Sequence, residues 1–489
     1  MNVLLVFMPD RTPFFDVKWA KIPGLAMESI AGNIDAHHNV YIADLIHKRD
    51  NIKDIVPELI HTYNPDVVGL SAMSFQFETA KRIAALIKTT NKHVKTILGG
   101  YHATVMYQEL SAGSDSGPFD FIFRGEGDIG FNEFLSALEG GRGFDSITGL
   151  SYRQNAGFTH NPPRPLEDLR KIKIPDRSKR IWRGYHWYGV PIEIIESSRG
   201  CTMPCNFCSM DKMYGKSFRA YEMERVISDI KDAKKHGAKF IVFADDNFTL
   251  NVPRFEQLCD AIVKYGHNDV WYMIQASSVG IASSETLVEK MAKAGFKIVF
   301  LGIENVSEGN LKLMKKGRIL EKTKTAIKRL HDCDIMIIGG MIIGHPGDKE
   351  SDIAQNYEFF REHNIDFLGD QILTPYPKTG SREEMLKMGL VTNVKDLSKY
   401  NGFWANVRTN HLSSEDLQFI RWKYNKEYYR IVGTTPAFKK NLPIGYQYMI
   451  DVLRSYKGVK KLVFGRNDME EKELYLQDME EARAMSSFF

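Results

Sequence analysis

Short apolar runs separated by stretches of helical periodicity recur twice along this chain, and that alternation leaves few folds open. In residues 1–140 the runs fall at 3–8, 40–43, 67–71, 96–98 and 119–123. Between them, residues 77–88 place Ala80, Ile83, Ala84 and Ile87 at i, i+3, i+4 and i+7, one face of a helix. Strands joined through helices pair in parallel, so this half is expected to be an α/β doubly wound sheet with its ligand site beyond the strand carboxyl ends. From 190 to 380 the alternation resumes, with runs at 192–196, 240–244, 271–276, 298–304, 334–343 and 367–373. Active-site groups of a parallel barrel lie at the strand carboxyl ends.

The segments outside these two blocks read differently. Residues 141–189 form a connector in which ITGLSYRQNAG reads as a small hairpin and NPPRPLEDLRKIKIPDRSK as an extended, proline-bearing linker. Residues 381–489 read as mainly helical, with Trp404, Trp422, Tyr424, Tyr428 and Tyr429 on helical stretches as core and a charged, solvated helix over 468–483.

Three of the five cysteines, Cys201, Cys205 and Cys208, stand at a C-x3-C-x2-C spacing directly after the apolar run at 190–195. Cys259 and Cys333 sit alone in helix-like stretches. An iron–sulfur cubane usually takes four thiolates. Here the loop offers three, which leaves one iron open, as catalytic metal sites leave a position for substrate. A zinc site would ask for a fourth protein ligand, and no nearby His or Cys supplies it.

Clustered rather than paired cysteines suit a reducing cytoplasm. A cluster with an open iron is oxygen-labile, so an anaerobic setting is expected. The start, MNVLLVFMPD, has no basic segment and no small-residue cleavage site, and reads as a first strand instead of a signal peptide. At 489 residues two or three domains are expected. A formal charge of +4 gives no argument for nucleic acid or a membrane surface, and no apolar run is long enough to span a bilayer.

The run Cys201-x3-Cys205-x-Phe207-Cys208 resembles the signature of the radical S-adenosylmethionine (SAM) enzymes. The resemblance implies a partial, six-stranded parallel barrel and a [4Fe-4S] cluster whose open iron chelates the amino and carboxylate groups of SAM. It also implies an electron donor such as flavodoxin or ferredoxin, and cleavage of SAM to methionine and a 5′-deoxyadenosyl radical that abstracts a substrate hydrogen. Asp245 and Asp246, in FADDNFT, occupy the place of the family's Gly-Gly-Glu element, with carboxylates for the SAM ammonium; the alternative is an N-cap for a helix at Val252. Ser277 follows the third barrel strand, with Ser278 beside it. Gly302 and Glu304, in FLGIEN, loosely match the family's GxIxGxxE region. Gly344-His345-Pro346-Gly347 follows the fifth strand, and Tyr376 the sixth. With Phe207, these give an expected SAM set of Phe207, Asp245, Asp246, Ser277, Gly302, Glu304 and Tyr376.

Three loops of the first block carry a second resemblance: Ser71-Ala72-Met73-Ser74-Phe75, Gly99-Gly100-Tyr101-His102-Ala103-Thr104 and Arg124-Gly125-Glu126-Gly127-Asp128. Paired glycines let a backbone approach a ligand closely, and the hydroxyls add donors. There is no Walker loop and no GxGxxG. In their order these loops resemble the Rossmann-like (flavodoxin-like) cobalamin-binding domain found ahead of the barrel in one large subclass of radical SAM enzymes. Ser71, Ser74, Gly99, Gly100, His102, Thr104 and Glu126 are then the expected cobalamin set. The first loop, Asp10-Arg11-Thr12-Pro13, has no DxHxxG histidine, which implies a cobalt lower face without a histidine ligand. His102 is either that ligand or, preferably, a hydrogen-bonding group for the cofactor tail. The alternative for the domain is a flavodoxin-like module with another ligand or none.

In this subclass the C-terminal region is a helical cap that shapes the substrate cavity. The resemblance implies a C-methyltransferase that moves a methyl from SAM via methylcobalamin to an unactivated carbon. Its substrate is expected to be a natural product, a lipid such as a hopanoid, or a protein side chain such as a glutamine or arginine of methyl-coenzyme M reductase. Two alternatives stand beside it: an oxidative cyclase like the anaerobic magnesium-protoporphyrin ester cyclases, and a cobalamin or redox sensor.

Overall fold

The apolar runs of the first block become β1 (Asn2–Phe7), β3 (Asn39–Asp44), β4 (Val67–Ser71), β5 (Lys95–Gly99) and β6 (Phe121–Phe123), with a two-residue β2 (Ala20–Lys21) between the first two. The computed structural model describes residues 1–9, 20–113, 117–154, 157–429 and 468–485. The hairpin expected in the connector is β7 (Leu150–Gln154) and β8 (Gly157–His160), and it extends the same sheet in the order β3-β1-β4-β5-β6-β7-β8. Strands β3 to β6 are parallel, and β7 and β8 antiparallel.

Helices cover both faces, which is why these strands read as unbroken apolar runs. Leu4 and Val6 pack toward Val56, Ile60, Ala80 and Ile83, whereas Val3 and Leu5 pack toward Met27, Phe131 and Phe134. The strand order reverses between β1 and β4, and a doubly wound sheet opens its ligand crevice at such a reversal.

The second block forms β9 (His186–Trp187), β10 (Val190–Ile195), β11 (Ser198–Arg199), β12 (Arg219–Ala220), β13 (Phe240–Phe243), β14 (Trp271–Ser277), β15 (Phe296–Glu304), β16 (Met336–Ile343) and β17 (Phe367–Ile372). The sheet runs β17-β16-β15-β14-β13-β10-β9-β2, with six parallel strands from β10 to β17. Its curl follows the alternation of side chains. On β14, Tyr272, Ile274 and Ala276 are buried against the outer helices, while Trp271, Met273, Gln275 and Ser277 face a lumen.

The sequence reads this part of the connector as an extended, proline-bearing linker, yet two of its arginines are buried. Arg177 is fully buried and pairs with Asp229 at 2.7 Å and Asp232 at 2.9 Å, and Arg180 pairs with Glu28 at 2.6 Å and Glu193 at 2.5 Å. The partners come from both sheets' surroundings, so the linker is an ionic joint between the two halves. Each arginine is stable there only because its partners are complete.

Beyond the barrel, helices Gly380–Lys387, Ser414–Tyr429 and Asp468–Met485 follow β17. Trp422, Tyr424 and Tyr428 lie on the second of these, but Trp404 lies in a turn before it, a correction to the helical reading. The last helix is not solvated all round: Met479 and Ala482 are buried, and Trp422 Nε1 donates to Asp478 Oδ2 at 2.9 Å. The loop Asp10-Arg11-Thr12-Pro13 and the Tyr429 side chain lie outside the described residues. Among the described residues no helix is long and apolar enough to cross a membrane.

Candidate active site

The cysteine loop springs from the carboxyl end of β10 and is closed at its base by the β11–β12 ribbon, where Arg199 pairs with Arg219 in register. Gly200 begins it at φ +89°, and a Cβ there would stand 2.4 Å from the Ser217 carbonyl oxygen, so only glycine fits. Asn206 anchors the middle: its amide donates to Met314 O at 3.3 Å, its side chain to Leu313 O at 2.8 Å, and its own carbonyl accepts from Ser381 at 3.0 Å.

Cys201, Cys205 and Cys208 are half-buried and line one cavity of about 320 Å3 at the barrel mouth. Burial pushes all three thiols up, Cys208 to about 11, so they are poor nucleophiles on their own; metal ligation would deprotonate them. Among the described residues, the one trio of potential ligand atoms within 4.8 Å of one another is His37, His38 and Glu139. At least one pair of the three sulfurs therefore stands more than 4.8 Å apart, beyond the roughly 3.8 Å that a single tetrahedral ion with 2.3 Å sulfur bonds would impose. Cys259 is buried in the outer core and Cys333 ends the helix Leu320–Asp332, and neither lines the cavity. Three spread thiols without a fourth fit three corners of a cubane cluster.

Of the expected SAM set, Phe207, Asp246, Ser277, Gly302, Glu304 and Tyr376 are walls of this cavity. Asp245 is not. Strand alternation continues past β13, so Val242, Ala244 and Asp246 face one way and Phe243 and Asp245 the other. The Asp245 carboxylate is buried and accepts from Ser197 N at 2.9 Å, Ser197 Oγ at 2.6 Å and Ser198 Oγ at 2.5 Å, fixing the turn after β10. Neither aspartate caps the helix Val252–Lys264; Asn251 does, accepting from Arg254 N.

Asp246 accepts from Gly200 N at 2.9 Å. Ser277 Oγ accepts from Gly280 N at 3.1 Å and so caps the short helix that follows β14. Opposite, Glu304 pairs with Lys316 at 2.8 Å. Sequence reasoning missed Lys316, because Lys315-Lys316-Gly317-Arg318 looks like a solvated run. Its ammonium is largely buried, and the charge of Glu304 holds its pKa up against desolvation. The cavity thus offers a carboxylate and an ammonium, a complementary pair for the two charged ends of an amino acid, and on that chemistry it fits SAM.

A second cavity of about 350 Å3 lies over the carboxyl ends of β4 and β5. Ser71, Gly99, Gly100 and Glu126 are among its walls; Ser74, His102 and Thr104 are not. The His102 ring is buried, stacks on Phe77 at 4.3 Å and has Nδ1 3.2 Å from Ser74 Oγ, outside the lining of this cavity. Thr104 Oγ1 donates to Gly100 O at 2.9 Å and accepts from Gly125 N at 3.0 Å, tying two loops together. A Cβ on Gly100 would stand 2.7 Å from Ser71 Oγ, whereas one on Gly99 meets nothing nearer than Leu70 O at 3.9 Å. The open face at Gly99 is a cradle a side chain would fill, and it fits a bulky cofactor such as cobalamin. Gly99→Leu is expected to weaken cobalamin retention at least about tenfold while leaving iron content unchanged, as read by cobalamin absorbance and iron assay after gel filtration.

Glu126 serves the joint more than the cradle. It pairs with Arg199 and with Arg219, each at 2.9 Å, and accepts from Glu167 N at 2.8 Å. Arg199, two residues before Cys201, also pairs with Asp128 at 2.8 Å and Glu196 at 2.6 Å. Met210 and Asp246 are walls of both cavities.

Two family models match separate parts of the chain. Residues 195–360 match the family model "Radical SAM superfamily" and residues 20–135 the model "B12 binding domain". An uncharacterized methyltransferase of Pyrococcus horikoshii is 30% identical over 433 residues, covering 88% of this chain and 93% of the relative. The anaerobic magnesium-protoporphyrin IX monomethyl ester cyclase of Rubrivivax gelatinosus is 29% identical over 72% of this chain and 63% of its own length. In fold, the chain is similar to the radical SAM methyltransferase TsrM of Kitasatospora setae, solved with cobalamin and a [4Fe-4S] cluster, at TM-score 0.66 and 17% identity over 81% of this chain and 79% of that one. A thiol-lined barrel mouth facing a glycine-rich crevice, matched by both family models and by a methyltransferase along nearly its whole length, makes this chain a member of the cobalamin-dependent radical SAM enzymes, whose cofactors are a [4Fe-4S] cluster, SAM and cobalamin.

Proposed function

We propose that the protein is a C-methyltransferase that moves a methyl group originating in SAM to an unactivated carbon. The observation that carries this reading is the common wall: Met210 and Asp246 border both the thiol-lined cavity and the glycine-rich one. Groups held across so thin a partition can act on one carbon, and the gain from such positioning is large. When bound, the cluster with SAM supplies a hydrogen-abstracting radical and cobalamin supplies a methyl group, chemistry that side chains lack.

The chain's own residues bind and orient. Cys201, Cys205 and Cys208 hold the cluster. Asp246 and the Glu304–Lys316 pair receive the charged end of SAM, and Ser277, Gly302, Phe207 and Tyr376 shape its bed. Ser71, Gly99 and Gly100 form the floor for cobalamin. The reductant is a low-potential protein such as flavodoxin or ferredoxin.

Methyl transfer is favoured over ring closure by the methyltransferase relative, which spans nearly all of the chain, whereas the chain spans 63% of the cyclase. The test is an anaerobic turnover of cluster-reconstituted, cobalamin-loaded protein with SAM and a low-potential reductant. Formation of both 5′-deoxyadenosine and S-adenosylhomocysteine is expected. Deoxyadenosine alone would move the reading to oxidation or ring closure, and neither product would leave a sensor.

A further inference from the structure

Between Cys201 and Cys205 the cysteine loop alternates: Met203 lines the thiol cavity, whereas Thr202 and Pro204 are exposed. A single layer of chain therefore parts the thiols from solvent here. From Cys208 the chain runs elsewhere, through Met210 into the wall shared with the glycine-rich cavity. The stretch around Pro204 is thus where the cluster site comes close to the surface.

What flanks that stretch is basic. Asn206 bonds the carbonyls of Leu313 and Met314, so the end of the helix Glu308–Leu313 lies against the loop. The helix closes in a left-handed turn: Lys315 has φ +58°, and the Lys316 amide donates back to Leu311 O at 2.9 Å. This turn sorts the side chains around it. Lys316 enters the cavity and pairs with Glu304, whereas Lys312, Leu313 and Lys315 stay outside. Leu313 is 45% exposed, and neither Lys312 nor Lys315 pairs with a carboxylate among the described residues.

The acidic groups close by are engaged. Glu384 Oε2 accepts from Asn206 Nδ2 at 3.1 Å, and Glu308 pairs with Arg318 at 3.6 Å. Glu383 and Lys387, both exposed on the helix Gly380–Lys387, cancel in number. Exposed lysines are ordinary, and a formal charge of +4 gives the chain as a whole no strong field. What sets Lys312 and Lys315 apart is their place: two unanswered charges around an exposed leucine, one residue layer from the thiols.

We propose that this face, formed by Pro204, Lys312, Leu313 and Lys315, is where a small acidic one-electron carrier protein docks to reduce the cluster. One electron leaves the carrier, which is oxidised by one unit, and reduces the cluster by one; no bond forms or breaks and no proton is transferred. Electron-transfer encounters are small and transient, so a leucine at the centre and two lysines beside it suffice. The charges act mainly on the rate of association. The proposal rests on the reading that a reduced protein supplies the electron, and not on methyl transfer.

The test uses the full-length, cluster-reconstituted protein and an acidic flavodoxin under anaerobic conditions. Affinity is read by calorimetry with oxidised flavodoxin, and electron transfer by stopped-flow bleaching of the cluster absorbance with reduced flavodoxin. Lys312→Glu/Lys315→Glu is expected to weaken binding and slow reduction at least about tenfold at low ionic strength. The difference should fade in about 0.5 M salt, where screening is short-ranged. Reduction by titanium(III) citrate, which needs no docking, should be unchanged. Lys231→Glu/Lys235→Glu, the same change of charge on the outer helix Met223–Lys235, should behave as the parent does. The proposal is overturned by a charge-reversed variant that binds and accepts electrons like the parent, by equal slowing with titanium(III) citrate, by an equal loss in Lys231→Glu/Lys235→Glu, or by a parent that does not bind flavodoxin. None of these readouts needs substrate or S-adenosylhomocysteine, so the docking face can fail while methyl transfer stands, and the reverse.

Discussion

Cys205→Ala is expected to lose its cluster and to reduce 5′-deoxyadenosine formation to the assay background, with no S-adenosylhomocysteine formed in turnover. Two thiols cannot hold a cubane that already lacks a fourth protein ligand, and without a cluster no electron reaches SAM. Iron and sulfide content, circular dichroism and product mass spectrometry check this together. The fold should survive, because the loop is held independently by the β11–β12 ribbon and by Asn206. Cys259→Ala is the control: its thiol is buried in the outer core and lines neither cofactor cavity, so it should keep both cluster and activity. A variant at Cys205 that still makes deoxyadenosine would sink the cluster assignment.

Arg199→Met is expected to be the most destabilising single change at the joint. The guanidinium lies among Glu126, Asp128 and Glu196, and removing it leaves buried carboxylates with fewer partners. Breaking one side of a buried network typically costs about 3–5 kcal/mol. Arg219 still reaches Glu126, Ser29 still donates to Asp128, and Tyr221 OH still donates to Glu196 at 2.8 Å, which favours the lower end of that range. Arg199→Lys should recover only part of the loss, because an ammonium cannot form the paired hydrogen bonds of a guanidinium.

The pH dependence follows from Asp128. Burial works to raise its pKa, but the Arg199 charge and hydrogen bonds outweigh burial and hold it below the ordinary aspartate value. A depressed carboxylate contributes stability above its unfolded pKa of about 3.9, and that contribution is lost as pH falls through the folded value. Removing Arg199 should therefore erase this part of the acid-side slope. Denaturant unfolding between about pH 3 and 7 measures both effects. A variant as stable as the parent, with the same slope, would show that the two halves are held together elsewhere, the Arg177–Arg180 joint being the alternative.

Much of this architecture could be read in the sequence, for identifiable reasons. Strands buried on both faces leave continuous apolar runs, so β1 and β4 are visible without neighbours, and three clustered cysteines need only their spacing. The doublet Asp245-Asp246 is harder: side by side in one motif both suit SAM, although period-two alternation carried past Phe243 allows only one of them to face the lumen. His102 looked available because it sits in a glycine loop. In the fold Gly100 starts a helix, and that places the ring against Phe77.

Lys316, Arg199 and Asp128 carried little signal. A lysine in KKGR or an acid in GEGD is ordinarily a solvated charge, and what buries these is the meeting of segments distant in sequence. Glu126 and Arg199 are an example, brought together across the two domains.

The most direct test of the central claim, that two cofactor cavities serve one methyl transfer, is S-adenosylhomocysteine formation by the cluster-reconstituted protein with and without bound cobalamin. Anaerobic turnovers with SAM and a low-potential reductant, analysed by mass spectrometry, should yield S-adenosylhomocysteine only in the cobalamin-loaded sample, with Gly99→Leu resembling the cobalamin-free one. Equal S-adenosylhomocysteine in both samples, or none in either, would contradict the account.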